Sequence, residues 1–143
     1  MAADSGTQRS AGEIVNQTEI TKALGERLDA GTAVTIAWEN NDASPALPYL
    51  QVEFVPVAPS DPTLAGGDAV YPGYMMVYVN SDRDAFATPA LAIAEAVAAL
   101  FPYALTLTTA SGKVVVTAPP RIMQAYRDGA NWRTPVRVDY RAA

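Results

Sequence analysis

The sequence predicts a single α+β domain, a mixed or antiparallel sheet of about six strands with two helices, in the order α-β-β-β-α-β-β-β. Three observations predict it. Two stretches carry apolar residues at helical spacing, and others alternate apolar and polar residues as strands do. No repeat or linker divides the 143 residues, a length that suits one domain.

Residues 1–11 are small and polar and are expected to form a flexible arm, leaving 12–143 as the folded domain. The first helix is expected from about Gly12 to Asp29. Ile14, Leu24 and Leu28, with Ile20 or Thr21 between, make its apolar stripe, and Gly31 is its stop. Val34, Ile36 and Trp38 then alternate with Thr35, Ala37 and Glu39 in a half-buried strand. A turn-rich connection from Asn40 to Pro48 leads to a second strand, Tyr49 to Val57, with Leu50, Val52 and Phe54 on one face and Gln51 and Glu53 on the other.

Pro56 to Gly73 holds four prolines and three glycines without periodicity. A loop of that length within a compact domain is expected to be functional or mobile. Gly73 to Asn80 is apolar or aromatic on both faces and reads as a central strand. The second helix is placed at 88–101, with Thr88 as cap, Pro89 at the first position and Pro102 closing it. Leu91, Ala94, Val97, Ala98 and Phe101 form its expected buried face. Ile93, Ala96 and Leu100 form a second apolar stripe, and Glu95 is the lone charge. A helix apolar on two sides is buried on both, against a neighbouring subunit or in a crowded core. Three strands follow: 104–109 and 113–118 joined through Ser111-Gly112, then 132–141 after Asp128-Gly129. In the last, Trp132, Thr134, Val136, Val138 and Tyr140 share one face, and Arg133, Arg137 and Arg141 the other.

The chain has no cysteine and no histidine. Disulfides, thiolate metal sites, cysteine nucleophiles and Ser-His-Asp chemistry are therefore excluded. The net charge of −5 conceals a polarity: residues 1–95 carry four basic and 13 acidic side chains, residues 96–143 six basic and two acidic. A chain with two charge signs can set opposite patches against each other on neighbouring copies. No apolar run approaches the roughly 20 residues of a membrane span. The first residues lack a signal layout, so an intracellular product is expected.

Chemical motifs are weak. Asn80-Ser81-Asp82-Arg83-Asp84 begins like a calcium loop, but Ala85 replaces the required glycine and Leu91 the closing glutamate. No metal site is expected. Glu39 and Glu53 are the best carboxylate pair for acid–base work, yet charges on an exposed strand face explain them as well. Gly66-Gly67-Asp68 lacks the lysine and helix of a phosphate loop. The arginine row, with members about 13 Å apart at four-residue spacing, suits a solvated face, inter-subunit ion pairs or phosphates. Aromatic residues are not interleaved with it.

The segments ITKALGERL, VTIAWENNDASPALPYLQVEFVP, YPGYMMVYV, ALAIAEAVAALFP and WRTPVRVDYR, in that order and spacing from Ile20 to Arg141, resemble the small tail terminator proteins of long-tailed, non-contractile phages and phage-like particles. The polar extension before Ile20 departs from that pattern. The resemblance implies a structural protein of the virion, assembled in the host cytoplasm, without enzymatic activity or cofactor. Its partners would be copies of itself in a hexameric ring, the tail tube protein and a head-completion or adaptor protein. Genomic double-stranded DNA would pass the lumen without specific recognition, with no membrane or small-molecule substrate involved. Interface residues expected on this basis are Leu64, Asp68, Tyr71, Ile93, Leu100, Arg133, Arg137 and Arg141. A head-completion protein of the neck is the nearest alternative, and a soluble ligand-binding module the next.

Overall fold

Asn16 sets where the chain turns helical. In the computed structural model, which describes residues 16–39, 45–58, 70–82 and 87–143, its backbone is extended and its side chain accepts the Glu19 amide at 2.9 Å. A capped helix must begin after its cap. The first helix, α1, therefore spans Gln17–Gly31, not 12–29, and Gly31 is its last residue. Ile14 and the 1–11 arm lie outside the described residues. Ile20, Leu24 and Leu28 face the core at the expected spacing.

The strands are β1 (Thr35–Ala37), β2 (Tyr49–Pro56), β3 (Tyr71–Asp82), β4 (Thr106–Thr108), β5 (Lys113–Val116), β6 (Arg121–Ile122), β7 (Tyr126–Asp128) and β8 (Asn131–Ala142). They form one mixed sheet in the order β1-β2-β3-β8-β5-β4, with β6 and β7 also paired to β8. Among the described residues only β1 and β2 run parallel. The third strand is central, as its two apolar faces predict, and longer than expected at both ends. The first strand is shorter, and Ala37 is its buried residue.

The edge of β8 is shared in turn by β7, β6 and β5. The two shortest, β6 and β7, were not foreseen. At two and three residues, after Pro119-Pro120, they have no room for an alternating pattern. Proline is rare within a paired strand because it has no N–H to give. Pro135 sits where the partner of β8 changes from β7 to β6, and there its carbonyl accepts the Met123 amide at 2.8 Å. In a strand N–H and C=O of one residue point the same way, so the donor that Pro135 lacks would fall on this edge, where β6 has ended, and not toward β3. Pro72 of β3 likewise presents its carbonyl to Val57, just past the end of β2. Gly129 supplies the positive φ (61°) of the two-residue connection from β7 to β8.

The second helix, α2, spans Ala87–Ala99. Thr88 therefore lies inside it and is not its cap, and Pro89 falls in the first turn, where an N–H has no helical partner. Bonds from Leu100 to Val97 and from Phe101 to Ala98 tighten its end before Pro102. Ala90, Ala94, Val97 and Phe101 are buried. Leu91 is not: one residue on from Ala90 it is turned by about 100°, and it is 43% exposed.

Both helices cover one face of the sheet. Their stripes join Leu50 and Val52 of β2, Met75, Val77 and Val79 of β3, and Val136, Val138 and Tyr140 of β8 in the core. Gln17 meets the Tyr140 hydroxyl at 3.4 Å, Glu19 accepts the amide and hydroxyl of Ser111, and Arg27 donates to the Leu100 carbonyl. These contacts tie α1 to β8, to the β4–β5 turn and to the end of α2.

Candidate interaction surface

The opposite face of the sheet has no described helix over it. Strand alternation brings Gln51 and Glu53 of β2, Tyr74, Met76, Tyr78 and Asn80 of β3, and Arg133, Arg137 and Arg141 of β8 to this side. The three arginines do share a face, as expected, but they are not equivalent.

Arg133 is largely enclosed. It donates to Asp128 at 2.8 Å and to Gln51 at 2.9 Å, and its guanidinium lies 4.0 Å from the centre of the Tyr78 ring. Arg137 donates to Asp139 at 2.9 Å and lies 3.8 Å from the centre of the Tyr74 ring. Arg141 is exposed and makes no ion pair among the described residues. The aromatic partners missing from the arginine segment itself thus arrive from β3. Tyr74 and Tyr78 are four apart, as Arg133 and Arg137 are, and each arginine is two positions along from its tyrosine in the β3–β8 register. That diagonal spacing lets long side chains meet, and stacking of cation on ring is favourable.

Burial pushes the Tyr78 hydroxyl above its ordinary pKa, and the Glu53 carboxylate, which accepts its hydrogen bond at 3.2 Å, pushes it further. Tyr78 therefore stays neutral and keeps donating at any physiological pH. Arg121 of β6 stands directly opposite Arg137. Like charges in that position repel, which the Asp139 and Tyr74 contacts of Arg137 offset. The carboxylate pair of the sequence reading is committed elsewhere. Glu39 accepts the Phe54 amide at 3.0 Å while Glu53 holds Tyr78. Among the described residues no group of three acids gathers as a metal site.

A second surface is apolar. On α2, Leu91, Ala92, Ala96 and Ala99 are exposed, with Tyr103 beyond the helix end. The described residues leave this side uncovered. The 117–130 strap carrying β6 and β7 is exposed along most of its length and presents Ile122, Met123 and Tyr126. The expected interface residues are scattered over these parts. Ile93 and Leu100 of α2 are half-buried against the core, as is Tyr71 at the start of β3. Leu64 and Asp68 lie outside the described residues, as does most of the loop that holds them. Tyr74, Tyr78, Gln51 and Arg121 were missed, and the four-residue tyrosine spacing in GYMMVYVN was the available signal.

Comparison with known proteins places this arrangement. A search of curated proteins returned no match. One solved structure, which carries no functional name, has 26% identity and a TM-score of 0.70, over 89% of this chain and 92% of its own. Another, a chain from the virion of a native gene transfer agent particle, has 19% identity and a TM-score of 0.57, over 87% of this chain and 93% of its own, a likeness of fold. The sequence profile of the phage tail terminator proteins matches residues 19–140. That match spans both helices and nearly the whole sheet, and the chain belongs to the phage tail terminator protein family.

Proposed function

We propose that copies of this chain close into a ring, of six subunits, on the head-proximal end of the tail tube. The ring ends polymerisation of the tube protein and offers the surface to which the head-completion or adaptor protein joins. The genome passes through its lumen without being read. The observation that carries this reading is the family match over residues 19–140. The architecture supports it through an exposed apolar side of α2 and an apolar strap, surfaces that a monomer leaves wet and an assembly covers. The work is binding and capping, and it needs no catalytic residue. The protein acts in the tail and neck of the particle and meets its partners in the host cytoplasm.

Electron microscopy of lysates from particles lacking the gene tests this. Overlong tubes of irregular length beside filled, tailless heads are expected. Tails of normal length that fail to join heads would instead assign the chain to head completion.

A further inference from the structure

Two features of the surface are complementary to each other. The first is the strap. Ile122, Met123 and Tyr126 stand 37–44% exposed within five residues; Ile122 lies opposite Val136 on the helix-bearing side, with Arg127 and with Leu91 of the neighbouring α2, and Met123 and Tyr126 lie on the other. Arg121 and Arg127 of the strap are exposed and have no ion pair among the described residues, whereas Asp128 is taken by Arg133. The strap is thus apolar with two uncommitted positive charges.

The second is a shallow groove of about 510 Å³ between the outer side of α1, the end of α2 and β4. Ala23, Ala30, Leu100 and Leu107 give it an apolar lining, and Glu26 stands in its wall. Asp29, on the same helix, is exposed near Ala30. Arg27 is committed to the Leu100 carbonyl and Glu19 to Ser111. Lys22 borders the adjoining hollow toward Thr108, one turn from Glu26. Around Ala30 the two carboxylates, Glu26 and Asp29, outnumber the one cation, Arg27. Gly31 matters here, because a Cβ at that position would meet the Leu100 side chain at 2.4 Å, and without one Leu100 seats beside α1 as part of the floor.

We infer that the strap of one copy docks in the α1–β4 groove of the next, with Ile122 on the apolar lining and Arg127, which shares its face of the strap, facing Glu26 and Asp29. The occupant is a second copy of this chain. The charge polarity of the sequence argues for it, since the basic partner comes from the last third of the chain and the acidic one from the first. A patch meeting a different patch on an identical molecule is a head-to-tail contact, which closes into a ring or runs on as a filament. The inference rests on the ring reading and names the surfaces that build it.

The absence of native cysteine gives a direct test. Particles are produced with Ile122→Cys and Ala30→Cys in the same chain and oxidised. A ladder of disulfide-linked oligomers ending at one closed species is expected, with no ladder from either single variant. Monomers or dimers alone, from particles whose tails are capped and joined to heads, would overturn the docking while leaving the terminator reading intact. Normal particles from a strain lacking the gene would overturn that reading itself. A charge exchange serves if the cysteine chain fails to assemble. Arg127→Glu and Glu26→Arg should each lower the yield of joined tails by about tenfold or more, since facing like charges oppose association strongly. Coproducing the two should restore it, because a ring alternating the variants pairs opposite charges at every contact. Failure of coproduction to restore, or no loss from either variant, would overturn the contact.

Discussion

At the scale of single residues, the fold depends on close approaches that a side chain would break. A Cβ on Gly73 would lie 2.4 Å from the Tyr140 hydroxyl and 2.8 Å from the Val55 carbonyl oxygen, which is backbone of β2 and cannot swing aside. Gly73→Ala should cost roughly 1–3 kcal/mol, the range for overfilling a packed site, read as a drop in chemical denaturation midpoint. The arginines divide by what holds them. Reversing Arg133 or Arg137 breaks contacts within the chain, so a defect in either variant would not by itself report on partners. Arg141→Glu changes only an exposed group and should leave stability within about 0.5 kcal/mol. Fewer joined tails from that variant would place Arg141 at a partner contact, and normal yields would remove it from one. Burial also raises the pKa of the Tyr140 hydroxyl, against which its Gln17 contact works. For both Tyr78 and Tyr140 the folded pKa lies above the unfolded one. Their contribution to stability is therefore full below the ordinary tyrosine pKa and is lost as pH rises through the folded values. An alkaline absorbance titration should show at least two tyrosines ionising late, with their lag abolished in denaturant.

At the scale of elements, legibility followed periodicity. The core stripe of α1, the centrality of β3 and the two faces of β8 could be read because each repeats its pattern over eight or more residues. The start of α1 was misplaced because the apolar spacing runs on to Ile14, although Asn16 with Glu19 three residues later was a legible capping signal. The strap strands were invisible because their pairing is imposed by β8, not by their own two or three residues. The arginine row was legible, but its partners were not, since Gln51 and the tyrosines come from strands more than 50 residues away. Helix α2 combines both lessons. Its apolar character was plain, and only the fold shows which side the described residues leave uncovered. Phe101→Ala, at the buried side, should cost about 3–5 kcal/mol. Leu91→Asp, on the uncovered side, should leave the denaturation midpoint of the free chain nearly unchanged and still reduce the yield of joined tails. A fall in free-chain stability equal to that of Phe101→Ala would contradict the assignment of sides.

At the scale of the whole molecule, the design is a single sheet with helices on one face and an arginine–tyrosine lattice on the other. The lattice is nearly self-neutralised, with Arg133 and Arg137 answered by Asp128 and Asp139. It stiffens the sheet instead of presenting a row of free cations to phosphate. Arg141 near the end of β8 is left without an ion pair among the described residues, and further uncommitted charges lie on the strap and on α1, where copies can meet. A chain built this way works as a part of an assembly. The measurement that bears most directly on that claim is a cryo-electron reconstruction of the neck in intact particles. One closed ring of six copies of this chain is expected between the last tube ring and the head-completion proteins, each strap seated against the α1 of its neighbour. Finding the chain repeated along the tube, in the ring against the head, or absent from the neck would contradict it.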